Sequence, residues 1–321
     1  MTVSILQTPG SPSPDVAMDA SVADDVVLAE LPERLDGRRR RAFVRNVPAM
    51  AAAGFLVLLV LSALLAPVLA PFDPNKNELR LTFATPGTEC GLPDCSAAGT
   101  RWLGTDDLGR DNLSRLLYGS RASLLAGLGS VAVALVVALP IGLAAGYVGG
   151  RIDWLLMRAV DVILSIPPLI LVFAVAGILG ASLRNAVIAL GVYFTPLFIR
   201  LIRSEVQNLR TGQMVEAERA VGVPDTAIVM HHVLPNIMSP LIVQVSLSIG
   251  TAILAEASLS FLGLGVTPPT ASWGIMLKTA FDFIGSQAWL VLVPSAVIAL
   301  TVLALNLLGD GLRDALGRVE S

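Results

Sequence analysis

Six separate apolar runs limit what this chain can fold into. The first spans 48–70, and the others lie near 122–148, 159–180, 185–204, 240–263 and 288–309. A helix needs about 20 apolar residues to cross the hydrocarbon of a bilayer. In lipid every backbone N–H and C=O must be satisfied within the segment, so such runs become helices. Composition agrees, with 54% hydrophobic residues, a mean hydropathy of +0.73 and 15% charged residues. A soluble domain carries about 25% charge. The chain reads as an all-α integral membrane protein with six transmembrane helices.

The rest of the chain divides around those runs. Residues 1–47 form an acidic, disordered tail, with no apolar period in 1–37. The tail ends in the basic run Arg38–Arg41, with Arg45 close behind. The first run, Pro48 to Ala70, exceeds the roughly 7–15 residues of a signal-peptide core and reads as a retained anchor. Residues 71–121 form an extracytoplasmic loop, 122–309 a five-helix core with a polar cytoplasmic loop at 205–239, and 310–321 a cytoplasmic C-terminus. With both termini inside, the inner segments carry 14 Lys and Arg and the outer segments 7. The positive-inside rule therefore favours N-in and C-in. The net charge of −3 argues against a nucleic-acid partner.

Proline recurs inside the runs at Pro140, Pro167, Pro168, Pro196 and Pro294. Each removes a backbone donor, and the freed carbonyls need neighbouring helices or cavity water. A transport pathway or plain packing geometry would both use such kinks. Asp161 and Glu256 lie within the runs, and intramembrane acids face the bundle interior or water. They read either as an ion or proton site or as structural hydrogen-bonding groups, and no basic partner is evident for either.

The polar stretch 205–239 carries the most information. Met214 to Val221 holds good helix formers, with Glu216 and Arg219 as an i,i+3 pair. Gly222 suits the left-handed position that ends a helix, and Pro224 blocks continuation. Two turns of helix are marginal alone in water, so this one is an ordinary surface loop or a docking element for another protein. His231 and His232 lack further ligands for a metal and read as solvated or partner-facing.

Cys90 and Cys95 share the outer loop as Cys-Gly-Leu-Pro-Asp-Cys. They form a disulfide-closed turn in an oxidising compartment, or remain two thiols. No metal site is expected. The chain lacks a phosphate-binding Gly-Lys-Ser/Thr loop and every common catalytic fingerprint, so it is not read as an enzyme.

Several motifs in order carry a resemblance. Val215-Glu216-Ala217-Glu218-Arg219-Ala220-Val221-Gly222, followed by Leu234-Pro235-Asn236, resembles the EAA motif of binding-protein-dependent ABC permeases. Trp102 to Asp111 with Leu113 to Gly119, Glu256 to Gly265 with Ser272-Trp273-Gly274, and Asn306 to Leu316 resemble the C-type subunit of dipeptide, oligopeptide and nickel importers. The resemblance covers roughly 45–318 and leaves out the acidic tail and an insert around 84–99. It implies a type I ABC importer permease fold in a bacterial plasma (inner) membrane.

By that resemblance Val215, Glu216, Ala217, Arg219, Ala220, Gly222 and Pro235 belong to an ATPase-coupling helix and its exit. Glu218 stands where the family has Ala and is expected to add a charge to the docking face. The implied partners are a homologous second permease, two ATP-binding-cassette subunits and an external solute-binding protein that meets the outer loop 71–118. ATP and magnesium would sit on the ATPase subunits, so this chain holds no cofactor. Peptides are the implied cargo, with nickel or another small solute as the alternative and an ion-coupled secondary transporter as the competing class.

Overall fold

Several of the helices begin where short polar side chains take up orphan backbone N–H groups. Asn46 accepts from Ala49 N at 3.2 Å and opens α1, Val47–Leu64, which α2, Ala66–Leu69, extends after a break at Leu65. The computed structural model describes residues 44–91, 95 and 98–317, so the expected disordered tail and Arg38–Arg41 lie outside the described residues. An antiparallel hairpin follows, β1 (Thr88–Cys90) with β2 (Gly99–Arg101), and a Cys90–Cys95 disulfide closes its connection.

Asp111 caps α3, Asn112–Val148, by accepting from Ser114 N at 2.8 Å. This helix starts ten residues before the apolar run at 122, because a cap rather than hydropathy sets its origin. Next come α4 (Gly150–Leu164), α5 (Pro168–Leu179) and α6 (Leu183–Arg210), the last capped by Ser182. Two short helices, α7 (Gln213–Ala220) and α8 (Asp225–Ile228), precede a π-turn at Val229–Val233 that runs into α9, Leu234–Phe261. Helix α10 (Trp273–Asp282) and helix α11 (Trp289–Gly317) complete the chain.

Among the described residues five helical segments are long and apolar enough to cross a membrane, and the bent pair α4–α5 makes six if it is one span. That pair corrects the expected third span. The stretch 159–180 is no straight helix: α4 and α5 meet at 87°, with the break at Ser165–Pro167. Pro168 follows Pro167, and a residue preceding proline is pushed out of the α region. The helix stops at Leu164 and restarts with Pro168 at its first position, where a missing N–H costs nothing. Pro140, Pro196 and Pro294 instead lie inside continuous helices.

The main core joins α3, α6 and α9. Val131, Ala134 and Ala138 pack with Leu190, Phe198, Ile202 and Ile237. Gly142 and Gly146, one turn apart on α3, let α6 approach closely: a Cβ on either would stand 2.7 Å from the Cβ of Ile202 or Val206. The polar stretch expected over 205–239 is drawn tighter, since α6 runs to Arg210 and the helix leading into α9 resumes at Asp225.

Candidate functional site

The site is built on α7. Its first turn carries Glu216 and its last turn Arg219, which complements the helix dipole. The helix ends in a Schellman motif: Val223 N donates to Glu218 O at 3.0 Å and Gly222 N to Arg219 O at 3.0 Å. Gly222 has φ +87°, which a residue with a Cβ adopts only under strain. Val215, buried in the main core, and Val223, packed against it, pin the helix at both ends.

Two side-chain links fix its orientation. Asp225 accepts from the Tyr147 hydroxyl at 2.6 Å and from Arg219 Nε at 3.3 Å, and the Arg219 guanidinium lies 5.2 Å from the Tyr147 ring centroid. This ties α7 to the end of α3 and the start of α8. On the other side Glu218 Oε1 lies 2.9 Å from His232 Nε2. Asn236 Nδ2 donates to His232 O at 2.7 Å. That bond takes up a carbonyl in the π-turn, which widens just before Pro235, a residue without an N–H to donate.

These contacts correct two expectations. Glu218 adds no charge to an outer face; its side chain is only 17% exposed and turns inward to His232. Arg219 reaches Asp225, and among the described residues no Glu216–Arg219 ion pair forms. The histidines keep the solvent exposure expected of them while also contacting their own chain, His231 Nδ1 standing 3.1 Å from Ala227 O. Of the seven residues singled out on sequence, Val215 points inward and Arg219 is half-committed to Asp225. Glu216, Ala217, Ala220 and Gly222 are exposed beside one another, and exposed Pro235 stands apart at the start of α9. Met214, Val221 and Met230 were not singled out, and all three are more than half exposed. Large apolar residues within a polar stretch were the available signal. Nothing in the sequence marked Tyr147.

The intramembrane acids also find partners. Glu256 is fully buried and accepts from Ser260 Oγ at 2.6 Å and Ser123 Oγ at 3.2 Å. Asp161 accepts from Arg200 Nη2 at 2.7 Å, a basic partner the sequence reading did not assign. At the opposite end of α3, Asp106 holds Arg110 Nε at 2.7 Å and Arg115 Nε at 3.4 Å. Burial, and then the neighbouring Asp106, push the Asp107 carboxyl above its ordinary value. Among the described residues no group of His, Cys, Asp and Glu could hold a metal.

Helix α7 is thus an exposed two-turn helix set between two candidate membrane spans. Residues 138–319 match the model of binding-protein-dependent transport system inner membrane components. The chain belongs to this family. Residues 37–86 of this permease match the N-terminal transmembrane domain of oligopeptide transport permease C. It is 44% identical over 278 residues to the di/tripeptide transport system permease DppC of Pseudomonas aeruginosa, covering 86% of this chain and 89% of that one. It is 40% identical over 276 residues to the glutathione transport system permease GsiD of Pectobacterium atrosepticum, covering 86% and 88%. The inward-facing MetNI methionine ABC transporter shares the fold, with a TM-score of 0.54, 20% identity, and coverage of 62% of this permease and 94% of that chain.

Proposed function

We propose that this permease imports short peptides across a bacterial inner membrane as one of two homologous membrane subunits. An external binding protein delivers the cargo, and two ATPase subunits drive the cycle. The observation that carries the reading is α7: a helix held rigidly by Val215, Asp225 and His232 that leaves Met214, Glu216 and Val221 outside. One ATPase would hold this face in a cleft, which places α7 and both termini in the cytoplasm. ATP-driven closure shifts the spans only if the docked helix contacts the two conformations differently. A lever fixed to α3 and α8 meets that condition. The relatives' peptide and glutathione permeases support the cargo class. Glu256, enclosed by two serines, supports a structural role rather than ion coupling.

The test is uptake of labelled di- and tripeptides by cells carrying wild type, Gly222→Val or Glu216→Lys, with the membrane potential collapsed and ATP maintained. Wild-type uptake should persist. Both variants should lose it along with peptide-stimulated ATP hydrolysis, while the binding protein still takes up peptide. Coupled hydrolysis at the normal rate in both variants would remove α7 from the mechanism. Uptake of another solute but no peptide would keep the coupling and discard the cargo.

A further inference from the structure

Helix α4 has an apolar face that nothing among the described residues covers. Its inner face is plain core, with Val160 buried and Met157 and Leu164 packed against the same cluster. On another face Ile152, Leu155, Ala159 and Val162 recur at steps of three and four, the spacing of one helical stripe. All four are exposed, Leu155 at 64% and Val162 at 66%.

The charges of α4 divide unequally around that stripe. Asp153 accepts from Arg203 Nη2 and Asp161 from Arg200 Nη2, each at 2.7 Å, so α6 takes both acids. Arg151 and Arg158 are exposed and have no acidic partner among the described residues. The Arg158 guanidinium lies 5.7 Å from the ring centroid of Trp154, itself 63% exposed.

Those ion pairs also report the tilt of α4. Asp153 and Asp161 are eight residues apart, about 12 Å along a helix. Their partners Arg203 and Arg200 are three residues apart, only about 4.5 Å along α6. A helix running antiparallel beside α6 would pair residues of nearly equal separation. Helix α4 therefore crosses α6 steeply, in agreement with its 87° bend from α5. It starts directly after α3, where Arg210 in the last turn of α6 donates to Val148 O at 3.3 Å. This is the end of the bundle that carries α7.

We propose that α4 is an interfacial helix, lying on the anionic phospholipid surface of the leaflet nearest α7. Its apolar stripe enters the acyl boundary, and Arg151 and Arg158 meet headgroup phosphates, the chemistry expected of a basic amphipathic helix in a membrane interface. Trp154, exposed beside Arg158, adds an amphipathic ring of the kind favoured at a membrane interface. The reading rests only on α6 crossing the bilayer and is independent of the cargo and of the ATPase contact.

The experiment places a nitroxide at Ile152→Cys, Leu155→Cys, Ala159→Cys or Val162→Cys in turn. The permease is purified with the subunits that accompany it from its own cells and embedded in nanodiscs rich in phosphatidylglycerol. Cys90 and Cys95 are disulfide-bonded and do not take the label. Depth is read from relaxation by oxygen against a water-soluble nickel chelate. All four labels should be open to oxygen, with depths within about 6 Å of one another, whereas a straight span would separate the first and last by about 15 Å. Replacing phosphatidylglycerol by phosphatidylcholine should loosen the labels, and Arg151→Gln with Arg158→Gln should abolish that lipid dependence. A 15 Å gradient would overturn the proposal. So would labels shielded from both reagents, which would mean a protein cover, or wild-type labels indifferent to phosphatidylglycerol.

Discussion

The two ends of this permease treat charge in opposite ways. At the hairpin end Arg101, Asp106, Arg110 and Arg115 are each at most 6% exposed. Their partners come from the chain itself: Arg101 lies 3.4 Å from the Phe72 ring centroid and 3.9 Å from Glu78, and Arg115 donates to Pro74 O at 3.0 Å. At the α7 end Arg219 and Asp225 are 40% and 65% exposed, and Met214 and Val221 stand in the open. A region that balances its own buried charges is finished as architecture. A polar helix that keeps large apolar residues outside needs another surface to complete it. Both stretches stood out in the sequence, and only burial separates the self-contained one from the open one.

The strongest way to break this comparison is Asp106→Ala. It leaves two buried guanidiniums without their shared carboxylate, a loss of about 3–5 kcal/mol. Thermal unfolding of the purified permease should shift sharply downward, whereas Arg219→Ala, in a half-exposed pair, should shift it little. Equal losses in the two variants would erase the distinction between the ends.

A smaller effect sharpens the other side. Met214→Ser with Val221→Ser should leave the unfolding midpoint in place and weaken retention of the ATPase subunits. An apolar side chain fully covered on docking is worth about 1.5–3 kcal/mol, so affinity measured by interferometry should fall about tenfold or more. Unaltered affinity would show that the exposed apolar residues do not dock.

The smallest effect is a pH dependence at the hairpin end. Asp107 has a raised carboxyl pKa, with burial as the leading cause. The folded state thus holds this proton more tightly than the unfolded chain does. The stability it contributes is present at low pH and lost as pH rises through the raised value. Asp107→Asn removes that loss, so the variant's midpoint should gain on wild type as pH climbs out of the carboxylate range. A constant offset at all pH values would place the effect elsewhere.

Much of this was legible because it is local. Run length and hydropathy set the spans, Gly222 and Pro224 set the end of α7, and the ordered motifs set the family. Asp111 and Ser182 were equally local as caps, yet a hydropathy reading places helix ends at the edge of the apolar run and so begins α3 too late. The double proline at Pro167–Pro168 was visible as a kink, but not whether it would bend a span or end one.

The sequence by itself determined that this chain is a bundle of membrane helices with a short polar helix between two of them. Propensity, period and capping act within a few residues of one another. Only the tertiary structure decided which side of α7 is free, since Glu218 meets His232 across fourteen residues and Arg219 shares Asp225 with Tyr147 across seventy-eight. It also turned α4 across α6 through Asp153 and Asp161, whose partners lie fifty and thirty-nine residues away. Those charges have no preferred partner along the chain, and burial of α3 against α6 fixes which groups come within reach.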